Sequence, residues 1–218
     1  MADLPEDRCP VDYPNCEVLT AIAELRRENE ALASQVRSDP LTGLFNYRHF
    51  RESLEAELER TIRSGQPTAL IIIDLDHFKQ VNDQWGHEVG NQALRHAADC
   101  MRQVVRRLDI LCRYGGEEFT VIAPGTTLAG AVNGAERLRR VLEEAPLETG
   151  QGTLQLTASL GVAVHTIQQR LTAEQLVQQA DACLYEAKQN GRNRVAHPPL
   201  ELATATQVSA DERSALLD

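Results

Sequence analysis

The sequence predicts an α/β domain, a central mixed β-sheet flanked by helices, preceded by a helical stalk. Three observations carry that expectation. Thr68-Ala69-Leu70-Ile71-Ile72-Ile73 is an unbroken apolar run of the kind a strand covered on both faces needs. Helical and strand patterns alternate from about residue 46 to 197, which indicates helices packed over one sheet. Ahead of them, Val18, Ile22, Leu25, Asn29, Leu32 and Val36 recur in steps of four and three, the seam of a coiled coil.

Composition sets the outer limits. A chain of 218 residues, 42% hydrophobic and 25% charged, can bury one substantial core. Its net charge of −10 argues against a nucleic-acid partner, because no basic face offsets it. No apolar run approaches 18 residues, so no membrane crossing is expected. The acidic start, Met1 to Asp7, lacks the apolar core of a secretory signal, and a cytoplasmic location is expected. Five cysteines, an odd number, suggest reduced thiols; Cys9 and Cys16 have no companion pair for a zinc site.

Residues 1–16 hold three prolines and no periodicity, and read as a flexible lead-in. Residues 17–38 form the stalk, with Ile22, Asn29 and Val36 at a and Val18, Leu25 and Leu32 at d, the pattern of a parallel two-stranded coil. About three heptads are marginal alone, so an amphipathic helix lying on its own domain is the alternative. Asp39-Pro40-Leu41-Thr42-Gly43-Leu44 ends the helix, since Pro40 and Gly43 cannot continue it comfortably. A helix over 46–64, the strand 68–73, a helix over 89–107 and a hairpin over 110–122 follow. Next come a helix over 128–145, a strand or bent hairpin over 154–165, a helix over 173–190 and a short strand over 193–197. The globular domain spans 39–197, and 198–218 reads as a disordered tail.

Two acidic stretches carry the chemistry. Arg113-Tyr114-Gly115-Gly116-Glu117-Glu118-Phe119 reads as a hairpin with Gly115 and Gly116 at its tip, supplying positive φ and room for a bulky anion. Asp74-Leu75-Asp76 follows the central strand, where open sheets collect chemistry. Asp74, Glu117 and Glu118 brought together would repel unless a Mg²⁺-type cation sat among them. The backbone amides of His77, Phe78 and Lys79, in the turn entering a helix, can cradle phosphate. Lys188 and Arg192 stand four apart on one helical face near a helix end; by themselves they read as a solvated terminus whose cations suit the dipole.

The ordered motifs Asp39–Asn46, Asp74–Asp83, Gly86-His87-Glu88-Val89-Gly90, Arg113–Phe119, Ser159–Ala163, Ala180-Asp181, Tyr185–Lys188 and Gly191-Arg192-Asn193 resemble those of GGDEF-domain diguanylate cyclases, in a GGEEF variant. The resemblance covers about residues 38–197. It implies the nucleotidyl-cyclase-like fold of that family and one GTP per domain. It further implies that two domains face each other and that each 3′-hydroxyl attacks the other's α-phosphate to give cyclic di-GMP and two pyrophosphates. It implies two Mg²⁺ or Mn²⁺ per site, held by Asp74, Leu75, Glu117 and Glu118, with Glu118 a further ligand or a help in deprotonating the 3′-hydroxyl. Substrate contacts carried over by motif are Asn82, His87, Asn91, His77, Phe78, Lys79, Gly115, Gly116, Lys188 and Arg192, the last two at the β- and γ-phosphates. Because one domain holds half the reactants, a homodimer through the stalk is expected, with the stalk also open to a regulatory protein.

Arg106 and Asp109, supported by Arg137, match the family's product-inhibition site; otherwise they would be a weak surface ion pair. Asn91 departs from the family's usual Asp. It has one accepting oxygen for two guanine donors, a mismatch of about 1–3 kcal/mol, or roughly 5- to 150-fold in GTP binding. Relaxed purine specificity is therefore one alternative. A catalytically silent receptor for cyclic di-GMP or GTP is another, and a nuclease or nucleotide hydrolase a third.

Overall fold

The computed structural model describes residues 20–22, 24, 25, 27 and 37–200. The chain divides after Ser38 into two compact units, Met1–Ser38 and Asp39–Asp218. In the first, residues 20–22, 24, 25 and 27 are helical, and Ile22 and Leu25 are 40% and 64% exposed. The seam positions Val18, Asn29, Leu32 and Val36, the lead-in over 1–16 and residues 201–218 of the tail lie outside the described residues.

The second unit is built from α1 (Tyr47–Ser64), β1 (Thr68–Leu75), α2 (Phe78–Val104), β2 (Ile110–Gly115), β3 (Glu118–Pro124), α3 (Leu128–Glu144), β4 (Leu147–Thr149), β5 (Gly152–Leu154), β6 (Ala158–His165), α4 (Ala173–Gln189) and β7 (Val195–Ala196). The main sheet runs β2-β3-β1-β6-β7, with β4 and β5 forming a separate hairpin. β1 pairs antiparallel with β3 and β6, while β7 joins β6 in parallel, so the sheet is mixed as expected.

Alternation along β1 sorts the side chains onto two faces. Ala69, Ile71, Ile73 and Leu75 enter one core with α2 and α3, including Leu94, Met101, Leu138 and Leu142. Leu70 and Ile72 enter the other, with Phe50, Leu54 and Leu58 of α1 and Leu176, Ala180 and Leu184 of α4. All eight β1 residues are buried, which is why this strand reads as an apolar run without alternation. Truncating a fully buried side chain here, Leu70 for instance, costs about 2–5 kcal/mol. α4 lies directly on β6: a Cβ at Gly161 would sit 2.0 Å from the Ala180 carbonyl oxygen, so only glycine fits.

Local signals set the helix ends. Asn46, Thr127 and Thr172 each accept a first-turn N–H, and Thr172 with Gln175 completes a capping box. Four expectations need correction. The second helix begins at Phe78 rather than near 89, because Gly86 (φ 82, ψ 159) interrupts it and hides its first half from a single helical period. The central strand runs on to Leu75, since Asp74 pairs with Glu118 and Ser159 inside the ladder. The 154–165 region splits into β5 and β6, with β4 pairing β5 outside the main sheet. The hairpin pairs Gly115 with Glu118, so its turn is Gly116-Glu117; Gly116 alone of the two glycines has positive φ (48). Among the described residues no helix is long and apolar enough to cross a membrane.

Candidate active site

Asp74 and Glu118 stand opposite each other on neighbouring strands. By the same alternation that sends Ile72 and Ile122 to the α1–α4 face, both carboxylates belong to that face. α4 answers with Lys188, whose Nζ lies 2.8 Å from Asp74 Oδ2. Burial pushes Asp74 above the ordinary carboxylate range; Lys188 opposes that rise, while Glu117 and Asp76 add to it. Burial also raises Glu118, reinforced by Asp74 and relieved in part by Lys188. One ammonium thus serves two carboxylates that burial and neighbouring acids push toward protonation.

Glu117 occupies the turn beside this pair, and Leu75 donates its N–H to the Glu117 carbonyl at 3.3 Å. In an extended residue the carbonyl faces the same edge as the N–H, which turns the Leu75 peptide toward the tip. Among the described residues no three acidic, histidine or cysteine side chains converge as a ready metal cage. The expected carboxylate trio is therefore a facing pair with Glu117 on the adjoining turn, its geometry set by the lysine. Asp76, two residues on, is engaged elsewhere: it accepts from Thr157 Oγ1 (2.8 Å), Ser159 Oγ (2.7 Å) and the Asn193 N–H (3.0 Å).

The phosphate and base contacts fall into two groups. His77, in the left-handed region (φ 57), precedes α2, and the first-turn N–H groups of Phe78 and Lys79 have no acceptor within the helix. His77 and Lys79 are exposed and Phe78 is buried. Asn82 and Asn91 stand nine positions apart, and along a straight helix Asn82 would lie about 12 Å below Gly90. The Gly86 break folds them together: a Cβ at Gly90 would lie 2.0 Å from Asn82 Oδ1. Glycine at 90 is thus required by the asparagine packed on it, and Asn91 follows it half-buried. His87 is exposed.

Arg192 does not share a helix face with Lys188. α4 stops at Gln189, the Arg192 N–H closes a six-residue turn onto the Ala187 carbonyl (3.0 Å), and Gly191 takes positive φ (108). Arg192 lies on the loop beyond, exposed and without an ion pair among the described residues.

Arg106, Asp109 and Arg137 line one open surface pocket between the end of α2 and α3. Ile71, Val121 and Ala123 form its floor, which puts it on the sheet face opposite Asp74 and Glu118. Arg106 and Asp109 do not pair through their side chains: the Asp109 carboxylate accepts the Arg106 backbone N–H at 2.8 Å, and the guanidinium has no partner among the described residues.

Arg113 is the residue that sequence reasoning left without a role. Its Nη1 reaches both Asp39 carboxylate oxygens (3.2 and 3.1 Å), while Nε and Nη2 grip the Gly116 carbonyl (3.1 and 2.8 Å). It braces the hairpin tip against the turn that opens the domain. Arg102 fastens the same turn, donating to the Thr42 carbonyl at 2.7 Å. Phe45 then pairs with β2 through the Arg113 N–H (2.8 Å) and so covers an otherwise open sheet edge. The only sequence signal was a charged pair 74 positions apart, which no local period reveals.

Comparison with known proteins agrees with this geometry. The family model described as diguanylate cyclase, GGDEF domain, matches residues 36–194. The response regulator PleD of Caulobacter vibrioides is 41% identical over 160 residues, covering 72% of this chain and 35% of that protein. The diguanylate cyclase VdcA of Vibrio cholerae is 37% identical over 201 residues, covering 89% and 58%. The chain therefore spans about a third to three-fifths of the length of these curated relatives. Among solved structures, the diguanylate cyclase SiaD of Pseudomonas aeruginosa, in complex with its activator SiaC, superposes with TM-score 0.72 at 39% identity, covering 84% of this chain and 71% of that one. The coiled coil and GGDEF domain of DgcB from Caulobacter crescentus, in complex with c-di-GMP, gives 0.71 at 28%, covering 84% and 96%. Hairpin, sheet order and sequence agree, and the chain belongs to the diguanylate cyclase GGDEF-domain family.

Proposed function

We propose that the chain is a diguanylate cyclase that condenses two GTP into cyclic di-GMP and two pyrophosphates across a homodimer, with inhibition by the product. The observation that carries this reading is the facing pair Asp74 and Glu118, both raised, sharing the single Lys188 ammonium. Hard carboxylate oxygens with too little positive charge among them suit Mg²⁺ or Mn²⁺, and Asp74, Glu117, Glu118 and the Leu75 carbonyl are the groups that would hold it. When bound, the metal supplies charge neutralisation at the phosphoryl group and acidifies the attacking hydroxyl. The chain's own residues do the rest. Glu118 takes the 3′-hydroxyl proton or holds the cation that eases its loss. Lys188 passes from Asp74 to the triphosphate and steadies the leaving pyrophosphate. Phe78 and Lys79 offer backbone N–H groups to phosphate oxygens. Asn82 and Asn91 bind the base, and the αL glycine of the tip leaves space for the phosphates.

Two such sites must meet, because each GTP supplies a nucleophile to the other. The helical residues around Ile22 and Leu25, with their apolar side chains exposed, support a coiled-coil stalk that raises the local concentration of the second domain. The SiaC complex of SiaD supports a protein activator as a further partner. Arg106, Asp109 and Arg137 would hold the product, as the pocket between α2 and α3 allows. The test is chromatography of reactions with GTP and Mg²⁺, using protein freed of bound product. Wild type is expected to yield cyclic di-GMP and pyrophosphate, and Glu118→Ala to lose about 10²–10⁴ in rate. No cyclic product from wild type at high protein concentration would sink the enzyme reading and leave a receptor.

A further inference from the structure

The loop carrying Arg192 is held more tightly than an exposed loop requires. Arg192 and Asn193 are consecutive non-glycine residues in the left-handed region (φ 60 and 45). Asparagine tolerates that region, whereas arginine rarely enters it. The surroundings impose it from three elements. The Asn193 N–H donates to Asp76 Oδ2 (3.0 Å) beyond the end of β1. Its side-chain amide donates to Glu143 Oε1 (2.7 Å), and its Oδ1 accepts from Arg139 Nη1 (2.9 Å), both on α3. Arg139 is itself oriented by Glu136 (3.0 Å) and Glu143 (2.7 Å). Asp76 is fixed by Thr157 and Ser159. From the third side, the turn off α4 fastens the Arg192 N–H to Ala187. Strain that is over-determined in this way beside a charged side chain marks preorganisation.

We infer that Asn193, clamped by Arg139 and Glu143 of α3 and by Asp76 beyond β1, is a positioning residue that sets the direction of Arg192 for the nucleotide triphosphate. The inference rests on the proposed reading of Arg192 as a phosphate ligand. It extends that reading to residues with no substrate contact of their own. α3 belongs to the layer on the far side of the sheet from α4, so the clamp ties the phosphate loop to both layers. Asp76 sits two residues from Asp74, which gives the metal-binding strand and the phosphate loop a common anchor.

The experiment measures binding of α,β-methylene GTP, which cannot release pyrophosphate, and of GMP, each with Mg²⁺, to the full chain. The proteins are wild type, Asn193→Gly, Arg192→Ala and the double variant. Glycine keeps the left-handed backbone and its bond to Asp76 while removing both side-chain contacts with α3. Wild type is expected to prefer the triphosphate. Asn193→Gly should lose about tenfold for the triphosphate and stay within about twofold of wild type for GMP. In the Arg192→Ala background the same change should cost nothing further, because it acts through that side chain. In turnover the loss should fall on KM rather than kcat. Glu143→Ala, a half-buried change that removes the acceptor for the Asn193 amide and one partner of Arg139, should give a smaller loss of the same selectivity. Equal losses for GMP and the triphosphate, or a full loss in the Arg192→Ala background, would reduce Asn193 to a structural residue. A wild type without preference for the triphosphate would overturn the phosphate reading and this inference with it.

Discussion

The two faces of the sheet hold charge under opposite conditions. On the α4 face, Asp74 and Glu118 are driven upward by burial and by neighbouring carboxylates, with one lysine opposing the rise of both. On the α2–α3 face, Arg106 and Arg137 are exposed, and one Asp109 carboxylate oxygen accepts the Arg106 backbone N–H. The first arrangement stores repulsion that a cation relieves; the second offers free guanidinium donors to an anion or a guanine edge. One strand pair thus supports a site waiting for positive charge on one side and one waiting for negative charge on the other. Asn193, bonded both to α3 and to the β1 end, is where the two layers meet near the proposed phosphate contact.

Three measurements would break or sharpen that contrast. The largest effect is expected from Arg106→Ala, which removes a donor from the α2–α3 pocket and should weaken product inhibition about 5- to 150-fold. Inhibition curves that overlay wild type would show that this face does not receive the product. Next is Asp39→Asn, which takes the carboxylate from the Arg113 brace. It should cost about 1–3 kcal/mol at neutral pH, read as a fall in melting temperature of several degrees. Burial raises Asp39, but hydrogen bonds from Thr42 and the Arg113 charge outweigh it and hold the carboxyl below its ordinary value. Its stabilisation is therefore present above the ordinary carboxylate pKa and is lost as pH falls through the lower folded value. The gap between wild type and Asp39→Asn should close in acid; a gap independent of pH would refute the brace as an ionic contact.

The smallest effect has the opposite sign. Asp74 is raised, so its contribution is fully present below the ordinary carboxylate pKa and disappears as pH rises through the folded value. Without divalent metal, Asp74→Asn should gain on wild type by a few degrees of melting temperature as pH rises above the ordinary carboxylate range. Adding Mg²⁺ at neutral pH should raise wild type and leave the variant unmoved. If Mg²⁺ moved both alike, the cation would be binding elsewhere. Opposite pH trends at Asp39 and Asp74 would separate the ionic brace from the under-neutralised pair within one protein.

Most of the fold was legible because it is written in local periods. The β1 run and the hairpin read over 110–122 each depend on residues within a few positions of one another. Strand alternation even predicts that Asp74 shares a face with Leu70 and Ile72, and so with α4. The first half of α2 was missed because Gly86 resets the helical phase, and a broken period reads as no period. Arg192 was misplaced on a helix for a related reason: spacing of four suggests one face only while the helix lasts, and α4 ends first.

Local order therefore decided which residues become strands, caps and acidic turns in this chain, since those choices are settled by side-chain period and backbone propensity. Tertiary packing decided what the charges do. Asn82 meets Gly90 only across a broken helix, Arg113 meets Asp39 across 74 positions, and Asn193 meets Asp76 across 117. Such contacts depend on how layers stack and on which polar groups burial forces to find partners, and no stretch of sequence carries that information alone.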